Sequence, residues 1–278
     1  MDKPKGNTQQ DLVYKNTKQR DLMLSFFPPM VKKYDFAPVY FLIPGGGWHM
    51  EVRQDMIDFC AVSVDSLRKE GFAVVGIDYR ICSEGVVMND IITDCFDAAR
   101  YIAKFSDILK IDKHSFVMAG HSAGAHLALM LSYAPQEMFS GEYDDKFSVK
   151  AVAAFSPPTI LYDKTTHNLG NIVDVFDKAD MYREMERTSP INYVTKKSPP
   201  TILCAGTDDN LVFANSSEKL YEKLKEYNVD SKIVLSRGGG HCFEQVNENI
   251  IPSLSKEDIE KEFVDWLLSR KSELDRRG

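Results

Sequence analysis

Five residues, Gly120-His121-Ser122-Ala123-Gly124, constrain this chain more than any other stretch. The run before them, Ser115-Phe116-Val117-Met118-Ala119, is apolar and short and reads as a buried strand. The run after them, Ala125-His126-Leu127-Ala128-Leu129-Met130-Leu131, is built from good helix formers. Strand, G-x-S-x-G and helix together form the context that a nucleophile elbow requires. So tight a turn admits only small flanking residues, and Gly120, Ala123 and Gly124 comply. The helix that begins there points its first N–H groups at any negative charge developing on the serine side.

Around that turn the chain alternates strands with helices. Leu12–Tyr14 and Leu22–Phe27 read as an antiparallel hairpin closed by Pro28-Pro29. Val39–Ile43, Phe72–Ile77, Val149–Phe155, the run from Pro200 to Ala205 and Ser231–Leu235 are compact apolar strands. Helical spacing marks one helix from Met56 to Leu67, with Gly71 placed as its C-cap. It also marks Ile91–Ile102 and Ala214–Tyr227, then two closing helices that include Ile259–Leu268, before a charged, fraying tail from Lys271. Continuously apolar strands separated by helices predict a mostly parallel sheet covered on both faces. No repeat interrupts it, so 1–278 is expected to form a single domain. Residues 161–197 break the rhythm: they are polar, contain His167, Asp174, Asp177, Asp180 and Tyr182, and fit a partial cap over the site as well as a plain surface excursion.

Composition narrows the partners. The net charge is −7 and no Lys/Arg stripe is present, which argues against nucleic acid. No window approaches 18 consecutive apolar residues, so no membrane span is expected. The N-terminus lacks a signal peptide's apolar core, and the expected compartment is the cytoplasm. Five scattered cysteines, Cys60, Cys82, Cys95, Cys204 and Cys242, read as reduced core thiols and not as a disulfide framework or metal site. Monomer and edge-paired dimer both remain open.

Three further stretches carry polar or glycine-rich loops at strand ends. Pro44-Gly45-Gly46-Gly47-Trp48-His49 follows the Val39–Ile43 strand. Alone it reads as a flexible loop; beside the serine turn it reads as an oxyanion loop, because residues without Cβ let backbone N–H groups approach a substrate oxygen. Gly206-Thr207-Asp208-Asp209 ends a strand, where an acid is placed for catalysis or for helix capping. His241 lies in the loop Gly238-Gly239-Gly240-His241-Cys242, with no periodicity to assign it to a core face. Ser, Asp, His is the chain order of a triad on an α/β-hydrolase sheet.

With Asp78-Tyr79-Arg80, Ser189-Pro190 and Val212 added, these motifs resemble the α/β-hydrolase esterase/lipase family. The resemblance is to the small bacterial type, near the acetyl-esterase and hormone-sensitive-lipase-like groups, of carbohydrate-esterase type. The resemblance covers Leu22 to about Leu268. Pro44 stands where many relatives have His, and Ala125 where many have Gly; the backbone donors and the triad are untouched by either change. The resemblance implies the α/β-hydrolase fold, with Ser122 as nucleophile, His241 as base and Asp209 as acid. Family spacing, three residues after the Gly and three before the Val, selects Asp209 over Asp208.

It further implies an oxyanion hole from the amides of Ala123 and of Gly46 or Gly47, and no metal or organic cofactor. Trp48 reads either as a rim residue whose ring stacks on a sugar or aromatic acyl group or as a packing residue; His49 is expected at the substrate entrance. The implied activity is hydrolysis of a small-molecule ester, short-acyl (acetyl-type) and sugar-borne among the options. An arylformamidase or other amidase on the same fold is the alternative, and a non-catalytic ligand-binding module the third reading.

Overall fold

The computed structural model describes residues 1–50, 52–170, 172–176 and 179–270. Asp177 and the tail from Lys271 lie outside the described residues. The strands are β1 (Gln10–Asn16), β2 (Asp21–Phe27), β3 (Ala37–Ile43), β4 (Ala73–Ile77), β5 (Ile111–His121), β6 (Val149–Phe155), β7 (Thr201–Gly206) and β8 (Ser231–Ser236). They form one sheet in the order β1-β2-β4-β3-β5-β6-β7-β8. The β1–β2 and β2–β4 pairs are antiparallel, and every pair from β4 to β8 is parallel.

The helices are α1 (Arg53–Phe59), α2 (Ala61–Lys69), α3 (Met88–Lys104), α4 (Ser106–Leu109), α5 (Ala123–Tyr133), α6 (Met181–Arg187), α7 (Ala214–Glu226) and α8 (Lys256–Leu268). Strand alternation sends Val39, Phe41 and Ile43 of β3 into a core shared with residues of α3, α5 and α7. Tyr40 and Leu42 enter the opposite core, closed by α1, α2 and α8. All seven residues of β3 are buried, as a central parallel strand requires.

Two sequence expectations change. The helix expected from Met56 to Leu67 is broken at Cys60 into α1 and α2. The cause is long-range: the Glu260 carboxylate takes the Ser63 amide at 2.8 Å, and Lys256 Nζ takes the Phe59 carbonyl at 2.8 Å. Those two groups would otherwise bond each other in the i→i−4 ladder. Gly71 does follow α2, at φ +94. Among the described residues, α8 is the sole helix after His241, because 243–255 is held in turns and short bridges.

The 161–197 excursion contains α6 and short 3₁₀ turns at Ile172–Val175 and Pro190–Tyr193. It is stitched to the loop that carries Asp209: Asn168 N–H donates to the Leu211 carbonyl at 2.7 Å, and Phe213 N–H to that of Thr166 at 3.0 Å. Ser189 Oγ pins its base, accepting from the Leu161 amide at 2.9 Å and donating to the Met185 carbonyl at 2.7 Å. No described helix is long and apolar enough to cross a membrane. No disulfide joins the five cysteines; Cys60, Cys95 and Cys204 are buried as expected, whereas Cys82 is half-buried and Cys242 exposed.

Candidate active site

The serine turn is sterically determined. Ser122, 8% exposed, sits between β5 and α5 at φ 55, ψ −122, a conformation few non-glycine residues adopt. Its amide donates to the Phe155 carbonyl at 2.8 Å, fixing the turn against β6. A Cβ on Gly120 would lie 2.3 Å from the Gly124 carbonyl, and one on Gly124 2.0 Å from the Ile43 oxygen. Only glycine fits at either place. Because α5 starts at Ala123, the Ala123 amide has no partner within its own helix.

The glycine loop lies against this turn. A Cβ on Gly45 would be 3.4 Å from Ser122 Cβ and 2.8 Å from the His121 carbonyl oxygen. Gly46 and Gly47 take φ +112 and +62, and the loop folds back on itself where the His49 and Met50 amides donate to the Gly46 carbonyl. Tyr79 anchors the loop from below, its hydroxyl donating to the carbonyls of Pro44 at 2.8 Å and Gly45 at 3.3 Å. That places a role on the Asp78-Tyr79-Arg80 motif that its sequence did not disclose. Its two charged members are structural: Asp78 pairs with Arg53 at 2.9 Å, and Arg80 with buried Asp94 at 2.7 Å.

Of the two places open to Trp48, the structure shows the internal one, and the substrate-binding role at a rim is not met. Trp48 is 1% exposed and packs edge-on against His126, with ring centroids 5.3 Å apart. The ring belongs to the core and not to a rim, in a turn where Trp48 takes φ +63. His49 is half-buried in the same turn, and the neighbouring Met50 lines the cleft instead.

Asp209 and His241 come together although 32 positions apart in the chain. His241 Nδ1 and Asp209 Oδ2 are 2.6 Å apart. Asp209 Oδ1 accepts the amides of Leu211 at 2.9 Å and Val212 at 3.0 Å, and its carboxylate has no exposed surface. A carboxylate so held accepts a proton-bearing Nδ1, which leaves Nε2 as the imidazole's lone-pair nitrogen. Asp208 points elsewhere: it is exposed and accepts from Thr207 Oγ1 at 3.0 Å. Among the described residues no hydrogen bond joins the Ser122 hydroxyl to His241, a contact often long before substrate binds.

The neighbouring histidines are neutral. Burial, then the neighbouring His241 imidazole, pushes the His121 pKa down to about 4, and burial alone does the same to His126. The His121 ring lies between Phe59 and His241, each centroid 4.7 Å away. His167 is buried in the stitch to Val212, with Nε2 3.2 Å from the Leu161 carbonyl oxygen. Desolvation and the charges of Glu244 and Asp209 push the Cys242 thiol up to about 11, so at neutral pH it is a thiol. A cleft of about 340 Å³ opens beside this assembly, walled by Gly46, Met50, Met56, Phe59, His121 and Cys242. A larger cavity of about 530 Å³, by Tyr34, Phe36 and Lys110, opens at the other end of β3 and holds none of these groups. Met50, Met56 and Phe59 escaped the sequence reading because helical spacing marks Met56 only as core.

A sheet of this order, with a strained serine after its fifth strand and an Asp–His pair after its seventh and eighth, is an α/β-hydrolase fold. The BD-FAE family model matches residues 24–224, and the chain belongs to that family. Among curated proteins the chain is similar to the probable isoprenylcysteine alpha-carbonyl methylesterase ICME of Oryza sativa subsp. japonica, 26% identical over 74% of this chain and 51% of that protein. It is similar to the esterase LipC of Mycobacterium tuberculosis, 26% identical over 75% of this chain and 53% of that protein. It also resembles the kynurenine formamidase of Drosophila melanogaster, 23% identical over 77% and 69%. The chain spans about half the length of the first two relatives. In structure it follows the esterase Est2 of Thermogutta terrifontis, with a TM-score of 0.76, 22% identity, and coverage of 97% of this chain and 95% of that one.

Proposed function

We propose that the chain is a serine carboxylic-ester hydrolase that works through an acyl-enzyme. The observation that carries the reading is the buried Asp209 carboxylate, held by two amides and bonded at 2.6 Å to His241, on the sheet edge that bears the strained Ser122 turn. A serine hydroxyl is a poor nucleophile at neutral pH and needs a base as attack begins. His241 Nε2 takes the Ser122 proton, the hydroxyl oxygen attacks the ester carbonyl, and the proton passes to the departing alcohol. Asp209 keeps the proton-bearing nitrogen facing itself and stabilises the imidazolium. The amides of Ala123 and of Gly46 or Gly47 bind the oxyanion, where losing one donor typically costs about 10²–10³ in rate. Water, activated by His241, then releases the acid.

Short-acyl esters, acetyl-type and sugar-borne among them, are the substrates this reading favours. Support comes from a cleft of about 340 Å³, at the small end for ligand sites, and from the family resemblance. An arylformamidase is the second reading, favoured by the likeness to kynurenine formamidase. Hydrolysis of p-nitrophenyl acetate and butyrate by wild type and Ser122→Ala, beside an N-formyl arylamide, tests both. Ester turnover that falls by about 10⁴ or more in the variant supports the esterase. Turnover of the formyl amide alone supports the second reading. Failure of Ser122 to take a fluorophosphonate label, with neither substrate turned over, leaves a ligand-binding module.

A further inference from the structure

Two non-glycine residues with positive φ stand directly after adjacent central strands: Ser122 (φ 55) after β5 and Ser156 (φ 48) after β6. The two turns are built alike. Each donates its amide to a carbonyl of the next strand over, Ser122 to Phe155 at 2.8 Å and Ser156 to Cys204 at 2.7 Å. The strain at Ser122 has a use in the reading above; the strain at Ser156 needs its own. Glycine adopts this conformation freely and serine does not, and what serine adds at this turn is a hydroxyl.

That hydroxyl, 1% exposed as a residue, donates to the His241 carbonyl oxygen at 2.8 Å. The same oxygen lies 2.9 Å from His121 Nε2, and since a carbonyl only accepts, Nε2 carries the proton. Both lone pairs of that oxygen are therefore occupied. The two donors stand at the ends of neighbouring strands, where His121 of β5 is paired with Phe155 of β6. They fasten the His241 main chain to the sheet edge that carries Ser122, while Asp209 fixes the ring.

We propose that Ser156 and His121 are positioning residues for the base, a two-donor clamp on the His241 carbonyl that keeps its imidazole in register with Ser122. The clamp rests on the esterase reading for its use, not for its existence. Burial keeps His121 neutral, with a pKa of about 4, so Nε2–H remains a single fixed donor across the working pH range.

The test pairs Ser156→Gly, which removes the hydroxyl and relaxes the turn, with His121→Gln, which retains a donor near the Nε2 position, and His121→Met, which does not. Two quantities are measured: kcat and KM for p-nitrophenyl acetate, and the water-exchange rate of the downfield His241 Nδ1 proton by NMR. The clamp predicts that Ser156→Gly lowers kcat about fivefold to tenfold, the worth of one hydrogen bond. KM should stay within twofold, the proton should exchange at least fivefold faster, and the melting temperature should not fall. His121→Gln should keep most of the activity and proton protection that His121→Met loses. The proposal is overturned if Ser156→Gly leaves both kcat and proton exchange within twofold of wild type. Equal losses in His121→Gln and His121→Met overturn it as well. A wild type inactive on the ester sinks the esterase reading alone, because the proton measurement still decides the clamp.

Discussion

Replacing Asp209 by Asn tests the relay with almost no change of shape. The Oδ1 position accepts two backbone amides, from Leu211 and Val212, so the new side chain must put its oxygen there. The reverse orientation would set an NH₂ against two N–H donors and forfeit both bonds, at about 1–3 kcal/mol for each buried donor left unpaired. With the oxygen fixed, the NH₂ faces His241 Nδ1 at the position of the present 2.6 Å contact. Nδ1 must then accept, which moves the imidazole proton to Nε2 and leaves no lone pair for the serine proton. In a serine-protease triad the same exchange costs about 10⁴ in kcat, and we expect a similar loss here, about 5 kcal/mol of barrier. Saturation kinetics with p-nitrophenyl acetate would read it, with thermal melting to show that the fold persists. Asp208→Asn is the internal control: its carboxylate is exposed and bonded only to Thr207 among the described residues, so kcat should stay within about twofold. An Asp209→Asn enzyme retaining a tenth of wild-type kcat, or a larger loss in Asp208→Asn, would refute the reasoning.

Tyr79→Phe removes the hydroxyl that holds Pro44 and Gly45, and should lower kcat about threefold to tenfold with KM little changed; an unaffected kcat would mean that the glycine loop needs no anchor. Gly124→Ala drives a Cβ to 2.0 Å from the Ile43 oxygen and should abolish activity with a stability loss of about 3 kcal/mol or more, whereas Gly47→Ala meets nothing within 4 Å and should cost only about 1 kcal/mol of φ strain. Urea melts of the two variants side by side would expose a failure of that contrast. His126 is fully buried, and burial lowers its pKa to about 4 from the ordinary 6.5. The folded state thus refuses a proton that the unfolded chain accepts, and the contribution is whole above about pH 6.5 and lost as pH falls toward 4, by up to about 1.4 kcal/mol per pH unit. His126→Gln should flatten the stability–pH slope in that window; an unchanged slope would show that His126 titrates normally.

Much of the site was legible because its constraints are local. A G-x-S-x-G turn between a strand and a helix is a steric statement, and the 2.0 and 2.3 Å approaches at Gly124 and Gly120 show why no larger residue fits. The Asp209–His241 pair was reachable because both residues follow predicted strands in the order a triad needs, and because the spacing of the resembled family selects Asp209 over Asp208. Trp48 was ambiguous because a tryptophan after three glycines reads equally as rim or core, and only its burial against the His126 ring decides. The break at Cys60 was invisible because the groups that cause it, Lys256 and Glu260, lie about 200 residues downstream.

By itself, then, the amino-acid sequence indicated the alternation of strands and helices and the strand–turn–helix context of Ser122, which follow from periodicity and steric demands over a few neighbouring positions. The three residues proposed for the relay came instead from their order along the chain and from the spacing that the family resemblance implies. The tertiary structure decided which aromatic ring is buried, which helix is broken, what walls the cleft and what holds the His241 main chain. Those depend on contacts between groups far apart in the chain, 85 and 120 positions for the His241 carbonyl and 197 for the break at Cys60, and a serine's propensity carries no trace of the positive φ found at Ser156.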